Sequence, residues 1–296
     1  MKVSIVIPNW NGKQKLANNL PGVLKVKGVN EIIIVDDYST DDSVDFIKQN
    51  FPQIELIEKE NNSGFAKTVN LGVARAPGDI VFLLNSDALP QDDVVEKAIK
   101  HFKDPQVFSV GCNTGGNWSW AKFERGYFWH YMSPKEKKII THQTLWASGG
   151  SGLFRKSIWK ELGGLDEVFS PFYEEDTDLG YRATKRGYIN LWEPSAKVLH
   201  YHQKGVIEEN FSKSQINKIA QRNQLFLIWK NITDSKFMIE HIFTLIKMVV
   251  VHPFYSLIVF SALVKLPQLL QKRSSENIKA KLSDREILAK YSKVQV

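Results

Sequence analysis

The residues that could do chemistry fall where short apolar runs stop. Pro8-Asn9 follows Val3–Ile7, Asp36-Asp37 follows Glu31–Val35, and Asn85-Ser86-Asp87 follows Ile80–Leu84. Carboxylates there can accept hydrogen bonds from the hydroxyl and N–H groups of a ligand, and they offer hard oxygens to a divalent cation. Glu174-Glu175-Asp176-Thr177-Asp178 is the densest acidic cluster of the chain. Crowded carboxylates raise one another's pKa, which suits a general base. The run Gly149-Gly150-Ser151-Gly152 can turn backbone N–H groups toward phosphate, although such runs also make ordinary turns. His200 and His202 close another apolar segment and share a face if the strand continues. Plain structural roles compete with these. Asp41 or Asp42 reads as the cap of a following helix, and Asp178 as a residue serving the first turn of a helix over Thr177–Arg186.

The elements that must position these groups alternate. Val3–Ile7, Glu31–Val35, Ile54–Ile57 and Ile80–Leu84 read as buried strands. Gln14–Val26, Asp42–Gln49, Ala66–Ala76 and Asp92–Phe102 read as helices between and after them. That rhythm predicts βαβ units and an open, doubly wound sheet. In such sheets ligands bind beyond the carboxyl ends of the strands, where three of the four runs carry their polar clusters.

Composition narrows the class. With 43% hydrophobic and 24% charged residues among 296, the chain reads as globular rather than fibrous or disordered. Its single cysteine, Cys112, forbids an internal disulfide. Only five residues separate Met1-Lys2 from Pro8, too few for an export signal, which predicts a cytoplasmic catalytic part. Net charge is +7, and residues 237–296 hold nine Lys/Arg against four Asp/Glu. This basic tail follows an apolar stretch, which favours anionic lipid over nucleic acid as its partner.

VSIVIPNWNG (3–12), VDDYSTDDS (35–43), NSGFAKTVNLGVARAPGD (62–79), LLNSDALP (83–90) and EEDTDLGYR (174–182) together resemble glycosyltransferase family 2. GGSGLFRKSIWKELGGLDEVF (149–169) and AKVLH (196–200) are similar to it as well, so the resemblance covers roughly residues 3–230. In style it is nearest the rhamnosyltransferase-like subgroup of bacterial surface-glycan enzymes. The resemblance implies a GT-A fold: α/β, Rossmann-like, a mostly parallel sheet flanked by helices. It also implies inverting transfer of a sugar from a nucleoside-diphosphate-sugar donor to a glycan or lipid-linked acceptor.

The resemblance also implies site residues. Asp37 would read the nucleotide, with Pro8, Asn9, Gly64, Asn70, Ser86 and Asp87 contributing to the donor site. Asp87 and His200, with His202 as a weaker choice, would hold Mn²⁺ or Mg²⁺. Asn85 departs from the family's Asp-X-Asp pattern and leaves Asp87 as the carboxylate of that motif. Asp176, beside Glu175, maps to the general base. The aromatics of 117–131 (Trp118, Trp120, Phe123, Tyr127, Phe128, Trp129, Tyr131) suit either an acceptor pocket or the core.

Gln221–Trp229 closes the catalytic domain in the family pattern, giving a division at 1–230 and 231–296. Ile242–Val264 is nearly all apolar but broken by Lys247, His252 and Pro253, and is followed by Lys265, Lys272 and Arg273. It reads as two amphipathic or re-entrant helices in a membrane interface, at the cytoplasmic side, peripheral or monotopic. A buried helical hairpin or a homodimer interface is the alternative. Glu276–Val296 reads as a polar, partly frayed helical tail. Two rivals stand beside the transferase: a nucleotide-sugar-binding protein with lost catalysis, which Asn85 keeps open, and a sugar nucleotidyltransferase. The second would need a glycine-rich, basic phosphate loop after the first strand, and Pro8-Asn9-Trp10-Asn11-Gly12 is not one.

Overall fold

Alternate residues of the short apolar runs are buried against two different layers, which is what makes them strands of a covered sheet. In β1 (Val3–Asn9), Val3, Ile5 and Ile7 join one core with Leu16, Leu20 and Phe82, while Val6 joins another with Val35, Val69 and Leu83. The computed structural model describes residues 1–132, 140–200 and 205–291. After β1 come α1 (Lys13–Val23), β2 (Glu31–Asp36), α2 (Ser43–Asn50), β3 (Glu55–Glu58), α3 (Phe65–Arg75) and β4 (Ile80–Leu84). These strands pair in parallel in the order β3-β2-β1-β4, so their carboxyl ends share one edge.

The chain continues through β5 (Ala88–Pro90), α4 (Val94–Ile99), β6 (Val107–Asn113), β7 (Ser119–Glu124) and β8 (Tyr127–Met132). Next are β9 (His142–Thr144), β10 (Ser151–Arg155), α5 (Lys156–Leu162), α6 (Glu175–Lys185) and β11 (Ile189–His200). β10 inserts antiparallel between β4 and β6, and the described sheet runs β3-β2-β1-β4-β10-β6-β11-β5, with β9 beside β11. This α/β sheet, parallel through its first half and flanked by helices, has the GT-A layout. The antiparallel strand brings the residues just before it, Ser148–Gly150, to the ligand edge beside β4.

Five helices complete the described chain after the short α7 (Val206–Asn210): α8 (Lys213–Asn231), α9 (Ser235–Val251), α10 (Tyr255–Leu263), α11 (Leu266–Lys279) and α12 (Asp284–Tyr291). The apolar stretch does break at His252-Pro253, between α9 and α10. Of the expected tail, Glu276–Val296, the part up to residue 291 is largely helical and anchored, and 292–296 lie outside the described residues. Ile287, Leu288 and Tyr291 are buried in a third core with Tyr181 and Phe226. Asp284 accepts from the Tyr181 hydroxyl (2.7 Å), Lys185 Nζ (2.9 Å) and the Thr233 N–H (2.6 Å). A polar sequence hid this anchor because its few apolar residues meet a partner far away in the chain.

The aromatic segment is mostly structural. It forms the β7–β8 hairpin, in which Trp120 stacks on Tyr131 (4.5 Å), Phe123 on Phe237 (4.7 Å), and Phe128 meets Tyr181 edge-on (5.5 Å). None of these seven lines the cleft described next.

Candidate active site

The carboxyl edge of β1, β2 and β4 opens into a cleft of about 600 Å³. Pro8, Asn9, Asp37, Gly64, Ser86, Asp87, Glu175 and Asp176 all line it. Residues 168 positions apart in sequence, from Pro8 to Asp176, thus meet because one sheet edge collects them.

The two aspartates at the end of β2 divide their tasks. Asp36 is tied back to β1 and its own turn: Oδ1 accepts from Asn9 Nδ2 (2.7 Å) and Ser39 Oγ (2.6 Å), and Oδ2 from the Ser39 N–H (2.8 Å). Asp37 turns instead to the loop before α3. Its Oδ1 accepts from Lys59 Nζ (2.5 Å) and the Ser63 N–H (2.9 Å), and its Oδ2 from the Gly64 N–H (2.9 Å). Gly64 has φ +87°, and a Cβ there would fall 2.7 Å from Ser170 Oγ and 3.1 Å from the Pro171 carbonyl oxygen. Lys59 was not legible as a site residue, since a lysine at a strand end is ordinary. Asn70 is not brought to the cleft. Its Nδ2 donates to the Leu165 carbonyl (2.8 Å) and its Oδ1 accepts from the Leu165 N–H (3.0 Å), so it clamps a loop behind α3.

At β4, Asn19 Nδ2 of α1 donates to the Ser86 carbonyl (2.9 Å) and fixes the turn that carries Asp87. Asn85 packs so closely on Gly150 that a Cβ there would lie 2.4 Å from Asn85 Nδ2. Gly149 and Gly150 line the cleft, and the Gly149 N–H donates to Asp176 Oδ2 (3.1 Å). Among the described residues no group of three or more His, Cys, Asp or Glu is arranged to hold a metal. One aspartate at the cleft would suit Mg²⁺ or Mn²⁺ where the phosphates of a bound ligand supply the other oxygens, since these ions then take few protein carboxylates. His200 ends β11, its side chain lies outside the described part, and His202 lies outside the described residues.

The acidic cluster opens α6. Tyr173 (φ +74°) and Glu174 (φ +76°) are consecutive non-glycine residues in the left-handed region, which costs energy and is tolerated where the surroundings enforce it. The enforcing residue is Asn223 of α8, fully buried, whose Nδ2 donates to the carbonyls of Phe169 (2.6 Å), Phe172 (2.8 Å) and Tyr173 (3.1 Å). Sequence reasoning missed it because an asparagine within a helix carries no signal of distant partners. Burial, with the charge of Asp176 next, pushes Glu175 well above the usual carboxylate range. Burial also raises Asp176, offset in part by the Gly149 and Thr177 N–H groups. Both line the cleft, and Asp176 is the more exposed of the two, so its raised carboxyl is the more accessible there.

Residues 4–163 match the family model of glycosyl transferase family 2. The chain belongs to that family. It is 25% identical over 211 residues to the N-acetylglucosaminyl-diphospho-decaprenol L-rhamnosyltransferase of Mycobacterium tuberculosis, covering 57% of this chain and 66% of the relative, a little under two thirds of its length. Among solved structures it is similar to GalNAc-T7 bound to UDP, GalNAc and Mn²⁺ (TM-score 0.66, 16% identity, 80% of this chain and 49% of that one). It is also similar to Staphylococcus aureus TarS in complex with UDP-GlcNAc (TM-score 0.58, 15% identity, 95% and 82%). At these identities the two structures speak for the GT-A fold.

Proposed function

We propose that this family 2 protein is an inverting glycosyltransferase acting on a nucleoside-diphosphate-sugar donor and a hydroxyl of a glycan or lipid-linked acceptor. The observation that carries the reading is the meeting of Asp37, Asp87 and Asp176 around one cleft at the strand ends. Asp37, with Pro8, Asn9 and Gly64, takes the nucleoside, for which the Lys59 contact gives way or is shared. Asp176 accepts the acceptor's proton as its oxygen attacks the anomeric carbon. The bond from that carbon to the diphosphate breaks, and the nucleoside diphosphate leaves. Asp87, with His200 as its proposed companion, would hold a divalent cation, Mn²⁺ or Mg²⁺, which lowers the cost of charge on the leaving diphosphate. Support for these finer points comes from similar proteins: one structure holds Mn²⁺ with UDP, another UDP-GlcNAc, and the mycobacterial relative's name specifies a lipid diphosphate acceptor.

The same reading sets the protein on the cytoplasmic face of a membrane as a peripheral or monotopic enzyme. Ile239, Ile242, Phe243, Ile246 and Val250 form one exposed stripe of α9, and Leu257, Phe260 and Leu263 one of α10, with Phe254 at the bend 86% exposed. No helix of the described residues is long and apolar enough to cross a bilayer. Of the three basic residues expected at the headgroups, Lys265 lies exposed beside the stripes, as does Lys247, whereas Lys272 is turned to Asp166 (2.9 Å).

A donor screen with UDP-, dTDP- and GDP-sugars, run with and without EDTA and read by NMR of the product's anomeric configuration, tests the reaction. Retention of configuration, or full turnover in EDTA, overturns the corresponding part. Flotation with anionic vesicles tests the location. Dimerisation through α9–α10 without vesicle binding overturns it.

A further inference from the structure

Asp176 stands in the wall between two cavities. Beyond the donor cleft lies a second space of about 580 Å³, which shares Ser148, Tyr173, Glu175 and Asp176 with it. Its own side is built by His130 of β8, Trp146, Glu174, and Gln221 and Gln224 of α8. We propose that this second cavity receives the acceptor's sugar ring, with Glu174 and His130 holding one of its hydroxyls. The inference deepens the proposed reaction and rests on Asp176 being its base.

Three observations carry it. Glu174 is 93% buried, yet among the described residues its Oε2 has no hydrogen-bond partner, and its Oε1 lies 3.5 Å from His130 Nε2, too far for a good hydrogen bond. An unfilled polar pair of this kind costs energy unless a ligand completes it. Second, the wall is rigid. A Cβ on Gly180 would lie 2.2 Å from Trp146 Cβ, so α6 is pressed against Trp146, and the His130 ring meets the indole edge-on at 5.8 Å. Gln224 Nε2 donates to the Phe128 carbonyl (3.2 Å) and ties α8 to the strand that carries His130. Third, the chemistry matches hydroxyls. No Lys or Arg among the described residues lines the cavity, while imidazole, carboxamides and an indole do. Burial, then the charges of Asp176 and Asp178, pushes Glu174 up to about 8, so at neutral pH it is a hydrogen-bond donor. Burial lowers His130, which leaves a neutral imidazole. Among the described residues the titratable groups facing Glu174 are Glu175, Asp176 and Asp178 on α6, Tyr173 before it and His130 on β8, and α8 presents the neutral Gln221 and Gln224.

The test uses p-nitrophenyl glycosides as probes, with binding read by saturation-transfer NMR on the full chain holding a nucleoside diphosphate. Glu174→Ala and His130→Ala should each weaken the responding glycoside about tenfold and leave nucleoside-diphosphate affinity within about twofold. Glu174→Gln keeps a donor at the same place. It should retain wild-type affinity at pH 7 and lack the decline expected of the wild type as pH passes about 8, which a merely structural role would not produce. Equal weakening of glycoside and nucleotide, unchanged glycoside binding in both alanine variants, or no glycoside bound by the wild type overturns the subsite. Asp176→Asn separates the two proposals. Undiminished transfer in that variant refutes the base, while the glycoside measurements still judge the subsite.

Discussion

Glu174-Glu175-Asp176 and Asp178 belong to one acidic run, yet the fold treats them oppositely. The first three face each other, Glu174 and Asp176 also face one imidazole, and burial drives all three upward. Asp178 is as deeply buried, but it is bonded by Lys230 Nζ at 2.7 and 2.8 Å, Arg182 Nε at 2.8 Å and Asn231 Nδ2 at 2.8 Å. Burial pushes its carboxyl up, and Arg182 and Lys230 outweigh that, holding it below the usual range. Lys230 also reaches Asp166 (2.7 Å), which Lys272 of α11 meets at 2.9 Å. Asp178 thus fastens α6 to α8, and through Asp166 to α11. The lesson is that compensation separates a structural carboxylate from a reactive one. Paired, it holds helices together; unpaired at a cavity wall, it is poised to take or give a proton.

The contrast breaks most sharply at Asp176. Asp176→Asn keeps volume and should lower turnover by ~10²–10⁴-fold, with donor affinity and melting temperature little changed. Steady-state kinetics beside nucleotide titration check this; a loss below about tenfold shifts the base to Glu175 or Glu174. Lys230→Ala should do the reverse. Leaving Asp178 and Asp166 short of a cation should cost about 3 kcal/mol of stability, read by urea unfolding, because one partner of a buried pair is removed.

The smallest effect sharpens the comparison by pH. The folded protein keeps a proton on Glu174 up to about pH 8, whereas the unfolded chain releases it near 4.5. Stability from this group is therefore fully present below 4.5 and declines as pH rises toward 8, by at most ~1.4 kcal/mol per pH unit. Glu174→Gln should raise the melting temperature relative to wild type more at pH 8 than at pH 5. An equal shift at both pH values refutes it. Asp178 contributes with the opposite sign, its stabilisation being lost only as the solution becomes strongly acidic.

Much of the parallel half-sheet could be read from the chain. Val3–Ile7, Glu31–Val35 and Ile80–Leu84 are apolar without interruption, and burial on both faces demands that locally. The polar clusters that end them were visible for the same reason, since a strand's end is a local event. The antiparallel β10 was not legible, because Ser151–Arg155 has no pattern of its own and is placed by β4 and β6. Asn70 was read toward the nucleotide from its motif, while its side chain serves Leu165, a contact set by how α3 packs. Asn223, His130 and Lys59 gave no signal, because each matters through residues distant in the chain.

By itself, then, the sequence determined the alternation of strands and helices, the family, and which acidic residues could matter. Those properties depend on residue type and short spacing. The tertiary structure alone decided that Asp37 faces the cleft while Asp36 is tied back, that Asp178 meets two cations while Asp176 meets no Lys or Arg among the described residues, and that a second cavity lies behind Asp176. Burial and charge pairing are properties of neighbours in space, and carboxylates adjacent in sequence acquire opposite protonation behaviour only once the helices around them have packed.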